Sequence, residues 1–413
     1  MHYKTNNIQS ICIIFLLTWI ISPPLSYGMI YRILAVLATA IWMILEFSSK
    51  ICIDAGGKIY LKKFTLYALI YLVIMISFSM VFENLSVMTA INRQINVIFF
   101  VLIGFIAGRY VYSGRKKELI LFYKWIVFLV VVFSVTALIR SDRFTYVTRA
   151  SGAYTDDNEL IVQAALKGIG GFGFFSVSSI LSPMILWNAI RAKGREKIIC
   201  FVEFFLVEVA VISAGFTIAL IISFVGIVYC GYFCIRNGFH RFVWIVIAIG
   251  IWVGHGVFFS WLYSFLSDLA SGTMYSNKVE DIFYFLNNKT ATGSFEGRLE
   301  RYLMSLRSVI NYPVVGSYII KGRNVTGMHS SIIDAFGAYG AIPGFMWIYL
   351  SLVYPKKLGI YYLSEKRLIK MSMLLIALTI LFNQMALQIS LFCMIVPALS
   401  LYLGEENRSK AVK

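Results

Sequence analysis

The sequence predicts an all-α integral membrane protein that crosses the bilayer about twelve times and carries one long loop with a short helix. Of its 413 residues, 59% are hydrophobic and only 14% are charged, whereas a soluble domain is about 45–50% apolar and about 25% charged. The apolar residues come in blocks of about 20, the length of a helix that crosses the ~30 Å hydrocarbon core. These observations exclude an ordinary soluble enzyme and a disordered chain.

The predicted spans run almost without a break through residues 1–262, which form an N-terminal bundle of about nine crossings. The block 160–190 is too long for one simple crossing and is rich in glycine at its start. We read it as one crossing that follows a mobile or re-entrant stretch. The long loop is residues 263–330, and residues 331–413 hold the last spans and a tail. The predicted spans are 8–27, 28–47, 64–82, 94–112, 119–139, 160–190, 198–214, 215–235, 242–262, 331–354, 371–386 and 387–403.

The distribution of lysine and arginine predicts the orientation of these spans, because both residues resist translocation. With the N-terminus inside, about twice as many basic residues lie in the cytoplasmic segments as in the outer ones. Both termini are therefore expected in the cytoplasm, and the loop 263–330 is expected outside. The formal net charge of +17 then reports topology, and no nucleic-acid partner is expected.

Residues 295–311 of the long loop have the pattern of an amphipathic helix, whose start Ser294 is able to cap. Arg298 and Arg301 lie about 60° apart on one flank of its apolar stripe, at ~100° per residue. Arg307 lies on the other flank. The stripe consists of Leu299, Leu303, Leu306 and Ile310, and Ser305 and Ser308 lie beside the first two arginines.

Two guanidinium groups on one flank suit a phosphate-bearing ligand, because each offers planar, bidentate donors and a permanent charge. Anionic lipid head groups are an alternative partner for Arg298 and Arg301, and simple solvation of an interfacial helix is another. The helix alone favours neither the functional nor the structural interpretation.

His329 lies where the long loop returns to the membrane, in the segment GMHSSIIDAFGAYGAIPG. An imidazole can accept a proton at neutral pH and is the commonest general base. Asp334 follows about one helical turn later; its carboxylate either orients the ring or is a buried polar group that neighbours satisfy. A histidine at an interface is alternatively a packing residue of the polar belt.

Four features of the later part of the chain, taken in order, resemble the O-antigen polymerase and ligase family of bacterial envelope glycosyltransferases: Arg298, the run Pro313-Val314-Val315-Gly316, His329 and Gly340. That family also has about ten to twelve spans and one large periplasmic loop between late spans. Two positions depart from its pattern, because Ser330 stands where asparagine is frequent and Tyr302 stands where tryptophan is common.

The resemblance implies a polymerase at the periplasmic face of the bacterial inner membrane. Donor and acceptor would both be undecaprenyl-diphosphate-linked glycans, and the growing chain would pass to a new repeat unit. A flippase, a chain-length regulator and membrane lipid are the expected partners, and neither a metal nor a cofactor is implied. In this assignment His329 and Arg298 are catalytic, Arg301, Arg149 and Arg143 bind the diphosphate, and Asp334 and Gly340 support the site.

Two other classes stay open at this point. An O-antigen ligase would transfer the finished polysaccharide to lipid A core with the same chemistry; the outer arginines lack the Arg-x-x-x-Leu pattern associated with it. A lipid-linked oligosaccharide flippase has a similar number of spans, but it needs charges along a central cavity rather than in a long outer loop. The chain has no glycine-rich phosphate loop and no HExxH sequence, which argues against ATP-driven transport and a zinc protease.

Overall fold

The computed structural model describes residues 2–26, 28–49, 52–140, 163–214, 216–234, 293–362 and 365–411 of the chain. Every regular element within these ranges is helical, which confirms the all-α expectation for the described part. The predicted span 242–262 lies outside the described residues, as do Arg143 and Arg149.

Ten helices are described in the N-terminal part of the chain, up to residue 234. The connection before α8 contains Gly168 in the left-handed region (φ +80°), so only the second part of the block 160–190 forms the long helix. The helices are α1 (His2–Ile21), α2 (Pro23–Ser26), α3 (Met29–Ser48), α4 (Ala55–Phe82), α5 (Val87–Arg93), α6 (Ile95–Tyr112), α7 (Lys116–Ile139), α8 (Phe172–Arg191), α9 (Gly194–Ala214) and α10 (Thr217–Cys234).

The described C-terminal part is made of shorter helices than the sequence predicts. The expected span 331–354 is divided at Gly340, whose φ of +91° ends one helix before the next begins. The elements are α11 (Gly293–Asn311), α12 (Gly316–Lys321), α13 (Ser331–Tyr339), α14 (Ala341–Ile348), a π-helical turn (Tyr349–Val353), α15 (Tyr354–Tyr361), α16 (Lys366–Phe382) and α17 (Leu387–Ala411).

Five described helices are long and apolar enough to cross a membrane, namely α3, α4, α6, α7 and α8. Shorter apolar stretches lie in α1, α10 and α17. The multi-pass helical character therefore agrees with the sequence, and the total of about twelve crossings stays a prediction.

Helix α3 shows how these helices face a membrane. Its small and polar residues Ala35 and Thr39 are buried against neighbouring helices, together with Trp42. Its aliphatic residues Leu37 and Ile41 are exposed. Small residues at helix interfaces and aliphatic residues on the outer surface are typical of helices surrounded by lipid, because lipid tails solvate aliphatic side chains as well as a protein interior does.

The core of the bundle lies where α17 packs against α6, α7 and α15, while α8 packs against α9 and α10. Phe100 of α6, Phe122 of α7 and Phe392 of α17 are among the largest fully buried side chains. These rings fill the space between the helices, so the helices hold their ends in fixed relative positions.

At one end of the bundle, a buried carboxylate links several helices through hydrogen bonds. Glu46, at 0% exposed, accepts hydrogen bonds from Arg109 Nε (2.6 Å), Arg115 Nη2 (2.7 Å) and Gln9 Nε2 (3.0 Å). We call this end, where α3 and α6 end and α4 and α7 begin, the Glu46 end. The sequence predicts that it faces the cytoplasm.

Candidate active site

The site is built at the opposite end of the bundle, where α11 and α13 pack together. The serine side of α11 is buried, whereas the predicted apolar stripe is exposed, with Leu303 at 41%, Leu306 at 43% and Ile310 at 75%. The serines are buried because α13 offers them partners: Ser305 Oγ donates to Asp334 Oδ1 (2.6 Å) and Ser308 Oγ donates to the Gly337 carbonyl (2.8 Å).

The start of α11 differs from the prediction by two residues. The helix begins at Gly293, so Ser294 lies within its first turn and is not its N-cap. The capping role of a serine appears instead at α13, where Ser330 Oγ accepts a hydrogen bond from the Ile333 backbone N–H (3.1 Å). That cap lies one residue after His329 and fixes the start of α13 at Ser331.

Asp334 is the residue that joins α11, α13 and the loop between them. Its carboxylate is buried, and its Oδ2 accepts from the Ser330 backbone N–H at 2.8 Å while Oδ1 accepts from Ser305. Ser305 Oγ also accepts from the Gly327 backbone N–H (2.9 Å). Of the two roles that the sequence left open for Asp334, these bonds match the buried carboxylate that neighbours satisfy, and they fix the backbone on both sides of His329.

The His329 imidazole is held by one bond on each nitrogen. Nδ1 lies 3.0 Å from the Met328 carbonyl, and Nε2 lies 3.3 Å from Arg301 Nη1. A guanidinium only donates and a carbonyl only accepts, so both bonds form when Nδ1 carries the proton and Nε2 accepts. Met328 has a φ of +55°, a costly conformation for a residue with a side chain.

Three arginines of α11 occupy different surroundings. Arg298 and Arg301 are half-buried and Arg307 is exposed, as expected for opposite flanks of the helix. Arg301, and not Arg298, contacts His329. The structure therefore brings together the residue assigned as base and one assigned to the diphosphate, while Arg298 lies one turn earlier on the same flank.

Tyr302, which stands where tryptophan is common in the family that the sequence resembles, borders His329. Its ring lies 6.1 Å from the His329 ring in an edge-on arrangement, and its hydroxyl donates to the Phe382 carbonyl (2.6 Å) at the end of α16. Burial raises the pKa of Tyr302, and the positive charge of Arg298 opposes this shift. The ring therefore forms a wall of the site and ties α11 to the membrane bundle.

The run Pro313–Gly316 packs directly on the Gly340 turn. Gly316 has a φ of +75°, and a Cβ added there would lie 2.4 Å from the Ala338 carbonyl oxygen. A Cβ added at Gly340 would lie 2.2 Å from the Val314 carbonyl oxygen, and the Ala341 N–H donates to that oxygen at 3.1 Å. The run Pro313–Gly316 and Gly340, both of which contribute to the family resemblance, thus contact each other backbone to backbone.

Two further connections lie at the same end of the molecule as His329. Ser331 Oγ donates to the Asn383 carbonyl (2.9 Å) and accepts from the Met385 N–H (2.8 Å), both in the connection between α16 and α17. The Tyr318 hydroxyl binds Glu83, just after α4. These contacts join residues far apart in sequence, and no local pattern signals them.

Within the described ranges, no group of three or more His, Cys, Asp or Glu side chains could hold a metal ion. No protein-family model matches the chain, and comparisons with curated proteins and with solved structures find no match. The chain's own residues are therefore the basis for inferring its function.

Proposed function

We propose that the chain is a membrane glycosyltransferase that polymerises undecaprenyl-diphosphate-linked repeat units into a bacterial surface polysaccharide at the periplasmic face of the inner membrane. The observation that carries the proposal is the contact between Arg301 and His329, 3.3 Å apart. A cation beside a base suits sugar transfer from a diphosphate to a hydroxyl, since the leaving group gains negative charge while the acceptor loses a proton.

In the proposed step, the acceptor sugar hydroxyl attacks the anomeric carbon of the donor glycan. The bond between that carbon and the diphosphate oxygen breaks, and its electron pair leaves with undecaprenyl diphosphate. The hydroxyl proton passes to His329 Nε2, which is the accepting nitrogen because Nδ1 faces the Met328 carbonyl at 3.0 Å. Asp334 and the Ser330 cap support this role by holding the backbone around the imidazole.

Arg301 has two partners in the proposed reaction, first His329 and then the donor diphosphate. Without substrate its guanidinium donates to Nε2, the same lone pair that must accept the proton. A diphosphate is a stronger partner for a guanidinium than a neutral imidazole is, because it carries charge and accepts two parallel hydrogen bonds. We propose that the donor diphosphate draws Arg301 away and thereby frees the base only when the leaving group is bound.

The surface around the site supports a lipid-linked substrate. The exposed stripe of α11, formed by Leu303, Leu306 and Ile310, lies on the same helix as Arg298 and Arg301. A polyprenyl carrier is apolar along its chain and anionic at its diphosphate. A helix that exposes aliphatic residues next to arginines matches this carrier. The aliphatic residues suit the polyprenyl chain, and the arginines suit the diphosphate.

The test is a surface-glycan gel from cells that lack the chain and are complemented with His329→Ala, His329→Gln or Arg307→Ala at equal protein levels. We expect His329→Ala and His329→Gln to yield at most a single repeat unit, because neither side chain accepts a proton at neutral pH. Arg307→Ala, which changes an exposed arginine of the same helix, is expected to give long ladders.

Other outcomes of this gel contradict the proposal. Long ladders from His329→Ala would exclude His329 as the base, and substantial activity of His329→Gln would mean that it only anchors the loop. Polymer that accumulates on the undecaprenyl carrier and never reaches lipid A core would identify a ligase. Repeat units that stay on the cytoplasmic side would identify a flippase.

A further inference from the structure

A groove of about 720 Å³ lies between α4 and α6 at the Glu46 end of the bundle, far from His329. Its walls come from the first turns of α4 and the last turns of α6. The side chains that decide its chemistry are Lys58, Lys62, Leu66 and Leu69 of α4, with Phe105 and Arg109 of α6. None of them has a part in the proposed transfer reaction.

The groove changes from basic to apolar along its length. Lys58, Lys62, Leu66 and Leu69 are spaced four, four and three residues apart, so they share one face of α4. At ~1.5 Å per residue, the face extends over about 16 Å from the first lysine to the last leucine. The lysines lie nearer the end of the bundle and the leucines lie deeper, and all four side chains are exposed.

The charges around the basic part leave a surplus of positive charge. Arg109 and Arg115 share the single carboxylate of Glu46, so one of their two charges is not neutralised by it. Asp54, one turn before Lys58, caps α4 by accepting from the Gly57 N–H (3.0 Å), and with it two carboxylates stand against four basic side chains. Both groove lysines therefore add to a region that already favours anions.

We propose that this groove binds one anionic phospholipid of the surrounding bilayer, with its phosphate between Lys58 and Lys62 and an acyl chain along Leu66, Leu69 and Phe105. An acyl chain needs apolar walls at membrane depth, and the leucine part of the groove supplies them. A negatively charged head group gains more from two lysines than a zwitterionic one does. A free phosphate would leave the apolar part of the groove unused.

The predicted topology agrees with this occupant. The Glu46 end is expected on the cytoplasmic side, where clusters of lysine and arginine next to a membrane helix attract anionic lipids. A bound lipid at this position would pack between α4 and α6. It would thus stabilise the packing of α4 on α6 at this end of the bundle.

The experiment titrates the purified full-length chain in detergent with dioleoyl phosphatidylglycerol, dioleoyl phosphatidylcholine or inorganic phosphate, and counts bound lipid by native mass spectrometry. The double variant Lys58→Gln/Lys62→Gln should bind phosphatidylglycerol about 25-fold more weakly than the wild type, because each lysine near a lipid head group contributes about a fivefold change. The matched control is Lys366→Gln/Lys370→Gln, which removes two exposed lysines with the same spacing at the start of α16.

The control double variant should keep wild-type affinity for phosphatidylglycerol. Equal weakening in both double variants would overturn the proposal, because it would show attraction to overall charge rather than to the groove. Equal binding of phosphatidylcholine, or displacement of the lipid by millimolar inorganic phosphate, would overturn it as well. Leu66→Ser/Leu69→Ser keeps both lysines and should still weaken phosphatidylglycerol binding; unchanged affinity would exclude the acyl-chain contact.

Discussion

The two ends of this molecule use arginine in opposite ways. At the Glu46 end, Arg109 and Arg115 both bind one buried carboxylate, so both side chains are held in place within the protein. At the other end, Arg301 donates a hydrogen bond to the lone pair of His329 Nε2. Arg298 lies half-buried on the same helix. Arginine paired with a buried carboxylate is a structural link, whereas arginine on a weaker partner remains able to change partners when an anion arrives.

The difference teaches how to separate structural from functional charge in a chain of this kind. The positions of lysine and arginine along the sequence predict on which side of the membrane each residue lies. They do not show which of these residues are structural and which are functional. The hydrogen-bond partner of each guanidinium separates the structural arginines from the functional ones. Substitutions at the Glu46 end should lower stability, and substitutions around His329 should lower turnover.

The largest effect is expected for Glu46→Gln. This change leaves two buried or half-buried guanidinium groups without a carboxylate, which should lower the free energy of unfolding by about 3–5 kcal/mol. The measurement is denaturant or thermal unfolding of the purified protein in detergent. Arg93→Gln is the control, because this exposed side chain pairs with Glu83 and the pair is expected to contribute under about 1 kcal/mol. Equal loss in the two variants would mean that the Glu46 end is not specially stabilised.

Arg301→Ala and Arg109→Ala should separate by the quantity that changes. Removing a donor that stabilises a leaving-group charge typically lowers turnover by about 10²–10³, so Arg301→Ala should lose polymer formation with little change in unfolding temperature. Arg109→Ala should lower the unfolding temperature, while turnover per folded molecule stays near the wild-type value. The measurements are repeat units joined per minute by purified protein, and its melting curve. If Arg301→Ala lowered only stability, the two ends would not differ in kind.

Gly340→Ala tests whether the site depends on the close approach of two backbones. An added Cβ would lie 2.2 Å from the Val314 oxygen at a φ of +91°, so strain and overpacking together should cost about 2–4 kcal/mol. Gly322→Ala is a matched control with a φ of +66° and no described atom within 4 Å of the added Cβ. It should cost about 1 kcal/mol. Similar unfolding midpoints for the two variants would show that the turn has room to move.

The smallest effect is expected for the pair Tyr302→Phe and Tyr362→Phe. Both hydroxyls donate to a backbone carbonyl, of Phe382 at 2.6 Å and of Val111 at 2.9 Å, so each variant should lose about 1 kcal/mol of stability. Only Tyr302→Phe should also raise the KM for the lipid-linked glycan, because the lost hydroxyl bond to Phe382 holds the ring in place beside His329. An unchanged KM in Tyr302→Phe would remove this residue from the site.

The helical class and the position of α11 followed from the sequence because both rest on local patterns. Residues 295–311 were predicted as a helix, and Gly293–Asn311 is observed. Local sequence patterns do not predict which side of α11 is buried. A stripe of leucines normally faces a core, but here Ser305 and Ser308 face α13, since Asp334 and a glycine carbonyl supply partners for their hydroxyls.

The site itself was predictable only in part. His329 and Arg301 were singled out by residue type, and their contact depends on how α11 packs on α13, which no spacing reveals. Arg298 was ranked above Arg301 on resemblance, and geometry brings Arg301 closer to the base. The contacts of Tyr302 and Asn383 were not predictable, because they join distant parts of the chain through backbone carbonyls.

The glycine contacts around His329 also decide where a reporter dye can be attached. A Cβ at Gly327 would lie 2.1 Å from the Arg301 carbonyl oxygen, so a side chain there would push the arginine out of position. A Cβ at Gly297 would have no described atom within 4 Å. A fluorophore coupled to a Gly297→Cys variant would stand one residue before Arg298, where a change in its emission would test whether the proposed lipid-linked glycan arrives at the arginines.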